Sequence, residues 1–142
     1  MQACRVPERA ALEREIHERW RLEYCTLVHP TAYVSPLAQL RQGVFVGARS
    51  VIASGAQLGE HVFVNRGVTI GHDTRIGAFS RIQPGANLGG LSIIGRAVTI
   101  GLGATLVERL VIGDGATIGA GAVLVQDLPA GVVAAGVPAR IK

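Results

Sequence analysis

Aliphatic residues recur at every sixth position along most of this chain. Val64, Ile70, Ile76, Ile82 and Leu88 lead five successive hexads, and four residues after each comes a compact one: Val68, Thr74, Ser80, Ala86 and Ser92. The phase runs back without a slip to Val28 and forward to Leu124. Seventeen consecutive hexads, covering Val28 to Pro129, thus open with Val, Ile or Leu. Neither a helix of 3.6 residues per turn nor a strand alternating every two residues has period six. A repeat of this kind decides the architecture of the whole chain.

The hexapeptide repeat predicts a parallel β-helix. Each hexad supplies one short strand and one corner, and three hexads close a triangular coil. Residue n then lies against residue n+18, with stacked strands roughly 4.8 Å apart. The lead aliphatics point inward and form ladders that no single coil can bury alone. The expected fold is all-β: nearly six coils over residues 28–129, a short helix and connector at 1–27, and a tail at 130–142. Glycine follows the lead residue at 47, 59, 71, 77, 89, 95, 101, 113 and 119. These positions are read as tight corners, which favour a residue without Cβ.

Before the repeat, Pro7 to Glu23 predicts a helix with Leu12, Ile16 and Trp20 as an i, i+4, i+8 stripe. About sixteen residues is marginal for an isolated helix, so the stripe needs a cover: the first coil, which the helix would cap, or a partner. His17 on it reads as a surface residue. His29 precedes Pro30, which biases it to extended backbone and a structural role. After Pro129 the prolines and glycines of DLPAGVVAAGVPARIK predict an extended tail rather than a seventh coil. Val44, Leu110 and Val133 are read as outward apolar positions that a subunit interface would cover.

Composition narrows the class. A hydrophobic content of 49% with only 4% aromatic residues suits a narrow core of Val, Ile, Leu and Ala. No apolar run reaches the roughly 20 residues of a membrane span, and the charged N-terminus does not read as a secretory signal. Cys4 and Cys25 have no metal-like spacing and make no disulfide framework, so a reduced cytoplasmic protein is expected. Residues 1–23 hold five arginines and five glutamates, which cancel; the remainder holds nine basic and five acidic residues. No basic run with interleaved aromatics points to nucleic acid. Scattered arginine suits either a phosphate-bearing small molecule or a solvated surface.

Two histidines lie inside the repeat. His61 has only Glu60 as an acidic neighbour and is read as a surface residue. His72 keeps different company: Asp73 follows it, Asn65 lies seven residues before it, and Gly90 lies eighteen residues, one coil, after it. An imidazole beside a carboxylate is a candidate general base, because the negative charge stabilises the imidazolium formed on taking a proton. A glycine amide one coil away could donate to a developing oxyanion. The alternative for the His–Asp pair is an exposed turn.

The repeat, with HDTRIGAFSRIQPGANLGG in its middle and DLPAGVVAAGVPAR at its end, resembles the hexapeptide-repeat acyltransferases. Within them it is most similar to bacterial sugar acetyltransferases that modify sialic acid or UDP-linked 4-amino sugars. The resemblance covers roughly Tyr24 to Lys142. It implies a left-handed β-helix assembled as a homotrimer, with acetyl-CoA as co-substrate in the groove between subunits and no metal. It implies His72 as catalytic base and Asp73 as the acidic residue that increases its basicity. Gly90 matches the glycine whose amide faces the thioester carbonyl, and Asn65 an asparagine near the acceptor. Arg81 stands where relatives carry a second histidine contacting the cofactor. Leu102 and Ala120, one coil apart, match positions where backbone groups line the coenzyme A arm. These enzymes usually begin with a small α/β domain that binds the sugar nucleotide, and residues 1–27 match only its last helix and connector. A truncated chain, a natural short form and a split enzyme with a separate acceptor-binding domain are all compatible with that.

Three readings follow. The first is an acetyl-CoA-dependent acetyltransferase acting on an amino or hydroxyl group of a nucleotide-linked sugar. The second is a γ-class carbonic anhydrase, which needs three histidine zinc ligands; the spacing of His29, His61 and His72 does not bring them together. The third is a non-catalytic trimeric scaffold lacking its acceptor-binding domain. The expected partners are the sugar acceptor and two further copies of the chain, with neither nucleic acid nor membrane.

Overall fold

The structure, a computed structural model, describes residues 6–142, with side chains of the first helix described from Ala10 onward. Seventeen two-residue strands, from Leu27–Val28 to Val123–Leu124, follow one another at six-residue intervals. Each of the first fourteen pairs in parallel with the strand three further on, so that the chain winds as a triangular β-helix of about six coils. The register is eighteen throughout: Phe45 faces Phe63, which faces Arg81, which faces Thr99. Three sheets result, and we name the corners between them by the sheet that precedes each. The first sheet contains Phe63–Val64 and Arg81–Ile82, the second Thr69–Ile70 and Asn87–Leu88, and the third Arg75–Ile76 and Ile93–Ile94.

The lead residues are the core. Ile52, Leu58, Ile70, Ile82, Ile100, Ile112, Ile118 and Leu124 are among the largest fully buried side chains. The compact residues four later complete it, and the hydroxyls among them are hydrogen-bonded, as buried polar groups must be. Ser50 donates to the Asn65 carbonyl at 2.8 Å, and Ser80 to the Gly95 carbonyl at 2.9 Å. Val44 and Leu110 belong to this same compact column and are buried, not outward; they are simply large members of it. Val133 is exposed, as expected, and the outward strand positions also expose Tyr33, Val51, Ile93 and Val111.

The two glycine columns divide the work differently from the expectation. The left-handed corner residue comes three after each lead, not one. Gly43, Gly55, Gly67, Gly85, Gly103, Gly115 and Gly121 occupy it with positive φ, and Arg49, His61, Asp73, Phe79, Leu91, Ala97 and Arg109 do so at φ 55° to 64°. The glycines directly after the lead residues have ordinary φ and are required by close approach. A Cβ on Gly77 would stand 2.6 Å from the Gly95 carbonyl carbon and 2.7 Å from the Arg96 nitrogen, inside the next coil's backbone.

At the N-terminal end the helix α1 spans Val6–Trp20 and stops three residues short of the expected boundary, where Arg21 turns left-handed at φ 47°. Its stripe is only partly packed: Leu12 and Trp20 are 50% and 63% exposed, and Ile16 between them is half-buried. Nor does α1 cap the first coil. It runs beside the corner after the third sheet, and a cavity of about 590 Å³ separates Ala10, Arg14 and His17 from Phe79, Arg96 and Ala97. Exposed His29 closes its own turn, its Nδ1 accepting from the Thr31 N–H at 3.2 Å. Cys25 is free and exposed, and Cys4 lies outside the described residues. Among the described residues no helix is long and apolar enough to cross a membrane.

The tail is not merely extended. Val133–Gly136 pairs in parallel with Thr117–Ile118 in the first sheet, then turns back into antiparallel Ala139–Ile141. The offset here is sixteen, with Thr117 facing Val133. The shortening begins at Leu128, which bridges Ile112 two residues early. The six-residue rhythm therefore ends structurally at Leu124, and Ala134 and Ala139 close the core.

Candidate active site

The corner after the second sheet holds His72 and Asp73, with Gly90 and Leu91 one coil later and Ser54 and Gly55 one coil earlier. The His72 carbonyl accepts from the Leu91 N–H at 2.8 Å, and the Asp73 N–H donates to the Ser54 carbonyl at 2.9 Å. Both backbones are thus held by the coil stack, while the side chains stand 57% and 58% exposed. His72 Nδ1 lies 3.0 Å from Asp73 Oδ2. With the Nδ1 proton donated to that carboxylate, Nε2 carries a lone pair and can accept one.

Gly90 is the floor beneath this ring. A Cβ there would stand 2.8 Å from Nε2 and 2.9 Å from Cδ2. On either side of it, Gly89 donates to the Leu106 carbonyl and Leu91 to the His72 carbonyl. Among the described residues no backbone carbonyl takes the Gly90 N–H itself. One corner therefore joins an oriented imidazole, a carboxylate and an uncommitted amide.

The other expected site residues lie elsewhere on the prism. Asn65, Leu102 and Ala120 belong to the corner after the first sheet, one side of the triangle away. There the Gly121 N–H donates to the Leu102 carbonyl at 2.7 Å, and Asn65 Oδ1 accepts from the Arg66 N–H at 2.8 Å. Arg81 is a strand residue in the outward column of the first sheet, between Phe63 and Thr99. A single chain brings together His72, Asp73 and Gly90, and separately Leu102 and Ala120, while Asn65 lies on the same corner as that second pair but two coils before Leu102.

His61 is the residue that sequence reasoning misplaced. It is 5% exposed, not a surface residue. Its ring stacks on Phe79 at 5.0 Å and meets the edge of Tyr24 at 4.6 Å, and its Nδ1 lies 3.8 Å from Glu13 Oε1. Gly43, eighteen residues before, leaves it room: a Cβ there would stand 2.8 Å from His61 Cε1. The signal was legible as a glycine and an aromatic one coil to either side. Hydrogen bonding to Glu13, then burial and the carboxylate's charge, push the Tyr24 phenol above its ordinary value. No three of the described His, Cys, Asp and Glu residues converge as a metal site.

Residues 55–90 match the family model described as bacterial transferase hexapeptide (six repeats). No curated protein sequence matches the chain. Among solved structures, the acetyltransferase domain of PglB from Neisseria gonorrhoeae is 37% identical with a TM-score of 0.94, over 99% of this chain and 68% of that one. The same domain has been solved in complex with acetyl coenzyme A. A mutant perosamine N-acetyltransferase from Caulobacter crescentus, in complex with CoA and GDP-perosamine, is 34% identical with a TM-score of 0.95, over 99% of this chain and 66% of that one. WeeI from Acinetobacter baumannii is 26% identical with a TM-score of 0.78. The chain spans about two thirds of the length of each. From the β-helix and these identities together, the chain belongs to the hexapeptide-repeat acetyltransferases.

Proposed function

We propose that this protein transfers the acetyl group of acetyl-CoA to an amino group of a nucleotide-linked sugar, with His72 as general base. The observation that carries the reading is the His72–Asp73 contact of 3.0 Å, which leaves Nε2 as the acceptor above Gly90. An amine is preferred to a hydroxyl because the perosamine enzyme, at 34% identity, is an N-acetyltransferase. As the amine nitrogen attacks the thioester carbonyl, its proton passes to Nε2. The C–S bond then breaks, and the proton leaves with the CoA thiol. Asp73 stabilises the transient imidazolium, and the Gly90 N–H is the donor to the carbonyl oxygen as it gains charge.

The reading includes a homotrimer with acetyl-CoA in the groove between subunits. Asn65, Leu102 and Ala120 stand on a different corner from His72 within one chain, and an intersubunit groove would bring one copy's first corner to its neighbour's second. Leu102 and Ala120 would line the coenzyme A arm, Arg81 would contact the cofactor, and Asn65 would lie near the acceptor. The test is release of free thiol from acetyl-CoA in the presence of GDP- or UDP-linked amino sugars, with sialic acid as the hydroxyl alternative. Acetyl-CoA binding by calorimetry separates this enzyme from a non-catalytic scaffold. No binding and no thiol release would overturn the reading.

A further inference from the structure

Gly55 stands one coil before Asp73 at the same corner, with φ +71°. A Cβ built on it would collide with Asp73 Oδ1 and lie 3.1 Å from Asp73 Cγ. The carboxylate therefore fills the space that a side chain at position 55 would take. The geometry is general to these corners. A side chain leaving the left-handed conformation folds back over the coil before it, as His61 does over Gly43. Gly67, Gly85 and Gly103, whose successors eighteen residues on are also glycine, would meet nothing within 4 Å.

This seating decides where the other carboxylate oxygen points. With Oδ1 over Gly55, Oδ2 faces His72 Nδ1 at 3.0 Å. The Asp73 backbone is tied to the coil below through Ser54. A methyl group at position 55 can then be relieved only by rotating the Asp73 side chain, which carries Oδ2 away from the imidazole. Seven corners already hold L-residues at φ 55° to 64°, so the backbone itself accepts alanine there.

We propose that Gly55 is a positioning residue for His72: the missing side chain at position 55 sets the Asp73 carboxylate, and through it the nitrogen of His72 that carries the proton. The proposal rests on the reading of His72 as the base. Its test compares Gly55→Ala with Gly115→Ala. Gly115 has nearly the same φ, +68°, lies on the corner beside α1, and would meet nothing within 4 Å. The two variants share the backbone strain and differ in the collision.

Gly55→Ala should lower kcat by about 10- to 100-fold, the scale for losing a partner that orients a functional imidazole, with KM for acetyl-CoA unchanged. Gly115→Ala should leave kcat unchanged. In an Asp73→Ala background, Gly55→Ala should add no further loss, because its collision partner is gone. Imidazole nitrogen NMR should show His72 protonated at Nδ1 in the wild type and in Gly115→Ala, and a mixture of tautomers in Gly55→Ala. Should Gly55→Ala fail to fold, the Asp73→Ala/Gly55→Ala double variant must fold if the collision is the cause. Equal kcat in the two glycine variants, an additive loss in the Asp73→Ala background, or an unchanged His72 tautomer overturns the proposal. If instead the wild type transfers no acetyl group, the reading of the reaction fails, and the NMR comparison still decides whether Gly55 sets the tautomer.

Discussion

The His72 ring rests against Gly90 so closely that a Cβ there would stand 2.8 Å from Nε2 and 3.0 Å from the His72 carbonyl oxygen. Gly90 has ordinary φ, so alanine at this position brings contact and no left-handed strain. Gly90→Ala should tilt the imidazole off its floor and crowd the space beside the amide. We expect a loss of at least about 10-fold in kcat, with a stability cost of about 1–3 kcal/mol from overpacking. Steady-state kinetics beside urea unfolding separates the two effects.

Removing the proposed base tests the site most directly. His72→Ala should lower turnover by about 10²–10⁴-fold, the usual scale of general-base catalysis. The His72 side chain is 57% exposed, so the fold loses little packing. Acetyl-CoA affinity and melting temperature should stay close to wild type. A His72→Ala protein that acetylates a working acceptor at the wild-type rate would remove His72 from the reaction.

Gly77 and Gly115, one from each glycine column, should lose very different amounts of stability on gaining a methyl group. Gly77→Ala drives Cβ into the backbone of Gly95 and Arg96 at 2.6–2.7 Å, atoms that cannot rotate away. We expect a loss of about 3 kcal/mol or more. Gly115→Ala meets open space and should cost only about 1 kcal/mol, for the positive φ. Chemical denaturation of both variants checks the contrast.

Tyr24 couples α1 to the prism in a pH-dependent way. Its hydroxyl donates to the Glu13 backbone carbonyl at 3.4 Å, and hydrogen bonding to the Glu13 side chain, ahead of burial and charge, holds its phenol above its ordinary value. A phenol raised in the folded state adds stability that is complete below its unfolded value of about 10. That contribution is lost as pH rises through the higher folded value. Tyrosinate difference spectra should show one late-ionising tyrosine that disappears in Tyr24→Phe. In the same alkaline range, amide exchange in α1 should quicken in the wild type more than in Tyr24→Phe.

The proposed trimer has a surface to test. A cyclic trimer joins two different patches of the same chain, and the outward strand columns expose Tyr33 and Val51 on the second sheet and Ile93 and Val111 on the third. Light scattering should report three times the 14.8 kDa chain. Val51→Glu should shift that mass toward the monomer and reduce acetyl-CoA binding with it. A stable wild-type monomer at micromolar concentration counts against both the assembly and the intersubunit groove.

The fold was legible because a ladder asks for the same class of residue at every step, and the unbroken phase from Val28 to Leu124 records that demand directly. The eighteen-residue coil also placed Gly90 against His72 from spacing alone. What the rhythm did not reveal was how a position does its work. Glycine one after the lead and glycine three after the lead look alike in a sequence, yet one admits a neighbouring backbone and the other supplies the left-handed turn. Val44 and Leu110 were misread because bulk in a column of small residues resembles an outward apolar position. His61 was misread because only part of its cover, Gly43 and Phe79, lies in the repeat, while Tyr24 and α1 lie outside it.

The two-residue shortening at Leu128 also decides how long the solenoid is. A coil that kept its eighteen residues would end on an open parallel edge of the first sheet, offering unpaired backbone groups to another molecule. Here the strand at Val133–Gly136 takes that edge, and Ala139–Ile141 folds back against it in the opposite direction. The last strand of that sheet is therefore antiparallel to the rest of it. The shortened turn thus breaks the eighteen-residue register at this end of the first sheet, which finishes on a hairpin instead of on a strand in phase with the repeat.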